Sequence, residues 1–158
     1  MSTSDTIFLG TSEPLGIVAG WLADVLGLER LDDPELRENE HFFRGRARTV
    51  EGTILLLAEP NTYGEVDPEP EDVSAIDDYI GVVDIRVAGI KDEEAQAREA
   101  LAIFDELAAT QPDVALVLSH ALSWIVAAYL PGAGVHNFPP RTSLDADALE
   151  TWRPWVIR

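Results

Sequence analysis

The longest apolar stretch of the chain runs over positions 114–130 and carries no formal charge. It is shorter than the about 20 residues that a membrane span needs. Asp113 precedes it and Pro131-Gly132 follow it, so it has no basic flank either. A stretch apolar on all sides reads as a buried helix or as two buried strands, and periodicity alone does not separate them. Its Val, Ile, Trp and Tyr residues favour a pleated surface. The pattern therefore predicts strands over 114–118 and 123–130, joined by Ser119-His120-Ala121-Leu122. That link is not a recognised tight-turn sequence, so the choice between hairpin and buried helix stays open.

The rest of the chain alternates more legibly. Residues 6–10 read as a strand. Thr11-Ser12 then offer an N-cap and Glu13-Pro14 an acidic first turn for a helix over 15–26 that stops at Gly27. Leu15, Val18, Leu22 and Val25 form its apolar stripe, with Ile17 and Trp21 beside it and Gly16, Gly20 and Ala23 opposite. A helix apolar nearly all round is expected to be covered on both sides. After a charged connection over 29–40, residues 41–48 and 53–58 read as a hairpin. Arg44, Arg46 and Arg48 alternate with glycine and alanine, so as a strand they share one face.

Positions 59–78 carry eight acidic residues, three prolines and no lysine or arginine, which predicts an extended, weakly ordered loop. Residues 79–87 then read as a strand. Asp92 caps a helix over 93–109 with the stripe Ala97, Leu101, Phe104 and Leu107-Ala108. Glu93 and Glu94 suit its N-terminus. Gly132, Gly134, Pro139 and Pro140 mark a loop, 143–151 a short helix, and the final Trp152 and Trp155 are too apolar to dangle. They are expected to dock, with the outer face of the first helix as one target.

The order β-α-β-β, acidic loop, β-α-β-β predicts one α+β domain: halves over 5–58 and 79–130, a linker over 59–78 and a docked tail over 131–158. The sheet should be mainly antiparallel with helices on one face, in a ferredoxin-like arrangement or as two βαββ halves side by side. A length of 158 residues fits one domain.

The net charge of -18 changes the functional picture most. It disfavours nucleic acid and anionic membrane and would steer a basic partner inward, although it also solvates the surface. Lys91 is the only lysine beside ten arginines, a bias that a GC-rich bacterial genome produces by itself. No cysteine is present, which removes thiol nucleophiles and cysteine-held metals. Met1-Ser2-Thr3-Ser4-Asp5 has neither the basic region nor the apolar run of a signal peptide, so a cytoplasmic location is expected.

Candidate chemistry is sparse. None of His41, His120 and His136 lies at the spacing of a known triad or metal motif. His120 beside Ser119 and Ser123 reads more simply as a histidine at a hairpin end. His136, in a Gly- and Pro-rich loop, is the most site-like of the three. Arg44 and Arg46 could hold a carboxylate or phosphate, or pair internally, for instance with Asp84 or Glu51. No metal and no cofactor is expected, because the acidic segment lacks the ligand spacing of a calcium loop. Asp67, Glu69, Glu71, Asp72, Asp77 and Asp78 form either a solvated connector or a docking surface.

From this the leading expectation is a small acidic, non-enzymatic protein-binding domain, possible as an inhibitor or immunity-type protein for a basic partner. A second is an enzyme or small-molecule binder with a pocket between sheet and tail, using His136, Arg44, Arg46, Trp152 and Trp155. A third is a structural domain that forms a homodimer through the first helix.

Overall fold

The computed structural model describes residues 4–157. Met1-Ser2-Thr3, read above for a leader, and Arg158 at the end of the tail lie outside it. The described residues form one antiparallel eight-stranded sheet in the order β2-β3-β4-β5-β1-β6-β7-β8. Its strands are β1 (Asp5–Gly10), β2 (Glu29–Leu31), β3 (His41–Arg46), β4 (Thr53–Pro60), β5 (Gly81–Val87), β6 (Ala115–His120), β7 (Trp124–Leu130) and β8 (Gly134–Asn137). Helix α1 is Leu15–Leu26, helix α2 is Glu93–Thr110, and a single turn α3 is Leu149–Trp152. No helix among the described residues is long and apolar enough to cross a membrane.

The chain is α+β, and its two halves are interleaved rather than side by side. The first strand of each half, β1 and β5, pair with one another at the centre. Helix α1 leads from β1 to strands that reach the sheet beyond β5. Helix α2 leads from β5 to β6, which pairs with the far edge of β1. Helix α2 thus connects two strands that flank β1 of the other half, while α1 leads to β2 at the sheet edge and the chain returns through β3 to β4, on the far side of β5 from β1.

The apolar stretch at 114–130 is a hairpin. Its turn runs from the His120 carbonyl, which accepts from the Ser123 N–H at 3.1 Å. Ala121 and Leu122 both take φ of 55. That left-handed pair is the geometry of a type I′ turn, normally built from Asn and Gly, which is why the sequence hid it.

Alternation along the strands builds two apolar layers. Ile7, Leu9, Ile54, Leu56, Val83, Ile85, Leu116 and Leu118 face the helices and pack with Val18, Leu22, Ile103, Phe104 and Leu107. Phe8, Val82, Val117, Ile125 and Ala128 face the other way and pack with Ala75, Ile76, Tyr79, Leu144, Trp152 and Val156. Full burial of each large side chain contributes about 1.5–3 kcal/mol. The second layer holds the first correction. The tail docks across the sheet from the helices, not on α1, with the Trp152 indole N–H donating to the Asp145 carbonyl at 2.9 Å. Among the described residues nothing covers the outer face of α1, and Ile17 is 54% exposed.

Local readings needed adjustment. Helix α1 begins at Leu15 after Pro14 with no side-chain cap, so Glu13 lies outside it. Gly27 closes it with φ of 66, as a C′ glycine should. Asp92 caps α2 by accepting from the Glu94 N–H at 3.0 Å. The buried stripe of α2 is rotated from the one expected: Ala97 and Leu101 are only half-buried, while Gln96 and Glu99 are buried. The Glu99 carboxylate accepts from the backbone N–H groups of Arg48 and Thr49 and from the Thr49 hydroxyl. It clamps the turn between β3 and β4 onto the helix. Gln96 accepts from the Val87 N–H at 3.1 Å.

Candidate functional site

The acidic segment runs as loop and turn beyond β4 and is tied down by hydrogen bonds. The Asn61 amide donates to the Ile76 and Tyr79 carbonyls, and its oxygen accepts from the Tyr63 N–H. Asp77 accepts from the Glu65 N–H at 3.1 Å and from the Ser74 N–H at 2.9 Å. The Ala75 N–H donates to the Leu144 carbonyl at 2.8 Å, joining segment to tail. Residues 73–79 are thus part of the second core layer. Asp77 is a half-buried loop anchor, whereas Asp67, Glu69, Glu71, Asp72 and Asp78 are exposed. Burial pushes the Tyr79 phenol well above its ordinary range; its oxygen accepts from the Ile157 N–H.

Loop and tail cover only part of the second sheet face. In β4, Leu55 and Leu57 point away from the helices and stay half-buried. The register sets Phe42 opposite Leu57 and Arg44 opposite Leu55 on one side. On the other side it sets Asp84 opposite Leu57 and Arg86 opposite Leu55. Directly opposed residues of an antiparallel pair share a face. The result is an open groove of about 260 Å³ lined by Phe42, Leu55, Leu57, Asp84 and Arg86. Thr6 donates to Asp84 at 2.9 Å from the neighbouring strand.

One end of this groove is acidic. Glu59 follows Leu57 on the same face, and its carboxyl sits above the ordinary range. Burial is the largest cause, followed by a hydrogen bond to Glu40 and the charges of Glu40 and Asp84. Tyr63 stands nearby with its ring edge-on to Phe8, centroids 6.2 Å apart. Burial and the charges of Asp84 and Glu59 raise its phenol. At the other end Arg44 pairs with Glu29 at 2.7 Å.

The arginine stripe is shorter than expected. Strand β3 ends at Arg46, and Arg48 leaves it to pair with Glu106 at 2.8 Å and to donate to the Leu26 carbonyl. Neither Asp84 nor Glu51 is the partner of Arg44. Arg44 and Arg46 do line a shallow cavity together with Glu29. His136 is far in function from either arginine: its ring stacks on Trp155 with centroids 4.2 Å apart and planes 7° apart, and Phe138 meets it edge-on. A cavity of about 260 Å³ does lie beside the tail, between Trp152, Arg153 and the acidic Asp67, Asp77 and Asp78. His136, Arg44 and Arg46 are not among its lining residues.

Sequence reasoning missed a buried pair. Asp5 on β1 and His120 on β6 are opposed in register. His120 Nδ1 lies 2.7 Å from Asp5 Oδ1, with the Asp5 side chain only 3% exposed. Burial holds the Asp5 carboxyl above its ordinary range, while the hydrogen bond and charge of His120 pull it back. The signal available was a charge heading a strand with an apolar centre; its partner 115 positions away was not legible. Among the described residues no group of three or more His, Asp or Glu is placed to hold a metal ion. No protein-family model, no curated protein and no solved structure matches this chain.

Proposed function

We propose that this chain is a non-enzymatic binding domain whose open sheet groove and acidic loop receive a basic protein partner. The observation that carries the reading is the groove itself: a half-buried apolar floor of Phe42, Leu55 and Leu57, bordered by Glu59 and Asp84 at one end and by Arg44 and Arg86 at the other. A desolvated apolar centre with a charged rim is the anatomy of a protein interface. A net charge of -18 adds steering of a cationic surface. An inhibitor or immunity-type role in a bacterial cytoplasm is the form of this proposal that size and charge favour. The central order β4-β5-β1-β6, with α2 bridging β5 and β6 and β2-β3 inserted between α1 and β4, supports a ferredoxin-like reading of the core.

The test compares the tagged wild-type protein with Leu57→Arg. Both are used for affinity purification from the native host at about 0.15 M salt, near physiological ionic strength. The recovered partner is then purified and titrated directly. A partner of high isoelectric point that binds wild type, weakens as salt rises and loses Leu57→Arg supports the reading. A partner bound equally by both proteins, or none, overturns it. Sedimentation of the free protein separates the remaining readings. A dimer abolished by Ile17→Glu assigns the open face of α1 to self-association; a monomer removes that possibility.

A further inference from the structure

The Asp5–His120 pair lines a cavity of about 210 Å³ on the helix-bearing face, apart from the groove. Leu118, Val126 and Ala97 supply aliphatic wall, and Glu93 and Glu94, from the first turn of α2, complete the lining. Asp5 is 2% exposed, and its second oxygen, Oδ2, is buried with no hydrogen-bond partner among the described residues. Leaving a buried acceptor unsatisfied is costly, and a donor bound in the cavity is what that oxygen lacks. When Asp5 accepts the Nδ1–H of a neutral His120, the tautomer is fixed and Nε2 becomes an acceptor. With His120 in that state the cavity offers the carboxyl oxygens of Asp5 and Glu94 and an accepting ring nitrogen, and no lysine or arginine is among its lining residues.

Such a lining repels anions and fits a group rich in N–H donors on a short aliphatic stem. We propose that the cavity formed by Asp5, His120, Glu93, Glu94, Leu118 and Val126 is a binding site for an alkylammonium group. The ammonium donates to the carboxylates and the imidazole, while the stem lies along Leu118 and Val126. A free small amine and a lysine side chain share this chemistry. The site is independent of the groove, so either can fail without the other.

The test is an NMR titration of the full chain, following the His120 ring protons and the Leu118 and Val126 methyls. The probes are n-butylammonium, N-acetyl-lysine methylamide and, as the neutral match, n-butanol. Saturable shifts at all three residues with a dissociation constant of about 1 mM, a weak but specific affinity, are expected for an ammonium and absent for butanol. Tighter binding of the lysine derivative assigns the site to a protein side chain; tighter binding of the free amine assigns it to a metabolite. Glu94→Gln, at an exposed position, should weaken binding about 2- to 5-fold, the worth of one exposed charge. His120→Gln should remove the shifts at Leu118 and Val126. No saturation by either ammonium, equal shifts with butanol, or unchanged affinity in both variants overturns the proposal.

Discussion

The second face of the sheet is two surfaces with different fates. Over β5, β1, β6 and β7 it carries Val82, Phe8, Val117 and Ala128, sealed by Tyr79, Leu144, Trp152 and Val156. Over β3 and β4 it carries Phe42, Leu55 and Leu57, which no described segment of loop or tail seals and which stay half-buried. The same alternation of side chains built both. The difference lies in what the chain lays across them: the end of the acidic loop and the tail reach one half and stop short of the other. Apolar residues on a strand therefore do not reveal whether they serve the core or an encounter. Coverage decides that, and coverage comes from segments distant in sequence.

The sharpest way to break this contrast is to truncate one phenylalanine on each half. Phe8→Ala should cost about 3–5 kcal/mol in urea unfolding, the usual loss for a fully buried aromatic. Phe42→Ala should cost less than about 1.5 kcal/mol, within the range of partly exposed sites. Equal losses would mean that the open half is core after all. Next, Leu57→Arg should lower affinity for the protein partner at least about 30-fold, as loss of an interface anchor does. It should leave stability within about 1 kcal/mol. A collapse of stability with unchanged binding would reverse the assignment.

Two smaller effects sharpen the picture. Asp77→Ala should cost about 1–2 kcal/mol, because two backbone donors lose a charged acceptor. Hydrogen exchange at the Glu65 and Ser74 amides should quicken in step; if it does not, Asp77 is not the anchor of the loop. The smallest effect is on pH. In the free protein Glu59 titrates above its ordinary value of 4.5, and a cation seated beside it would lower that value. Binding should then release protons, and affinity should rise with pH upward from about 4.5 through the window where free Glu59 ionises. Glu59→Gln should flatten that rise, and calorimetry in buffers of different ionisation heat would detect the released proton.

Much of the fold was legible in the chain, and the exceptions have physical causes. Gly27 and Asp92 mark helix ends because their conformations and hydrogen bonds are local. The stripe of α2 was misread because Gln96 and Glu99 look like surface residues and instead satisfy buried backbone donors. The acidic segment looked unstructured because charge and proline dominate its composition. Its order comes from Asn61, Asp77 and a strand-like bridge between Ser74 and Asp145. The groove required the register of three strands, and the Asp5–His120 pair required knowing that β1 lies beside β6. Neither is encoded in a local pattern. Of the residues singled out for chemistry, Arg44 lies at the groove, His136 is packed against Trp155, and the exposed acids lie on the loop that seals the other half.

The interleaving of the two halves also governs how the protein is made. Strand β1 leaves the ribosome first, yet both of its neighbours, Gly81–Val87 and Ala115–His120, are synthesised much later. At about 5–20 residues per second, the apolar Ile7-Phe8-Leu9 waits several seconds with both edges unpaired. A nascent chain halted before β6 cannot finish its central strand. The central sheet should therefore close only once β6 has been made, with β1 a natural docking point for holdase chaperones until α2 and β6 arrive.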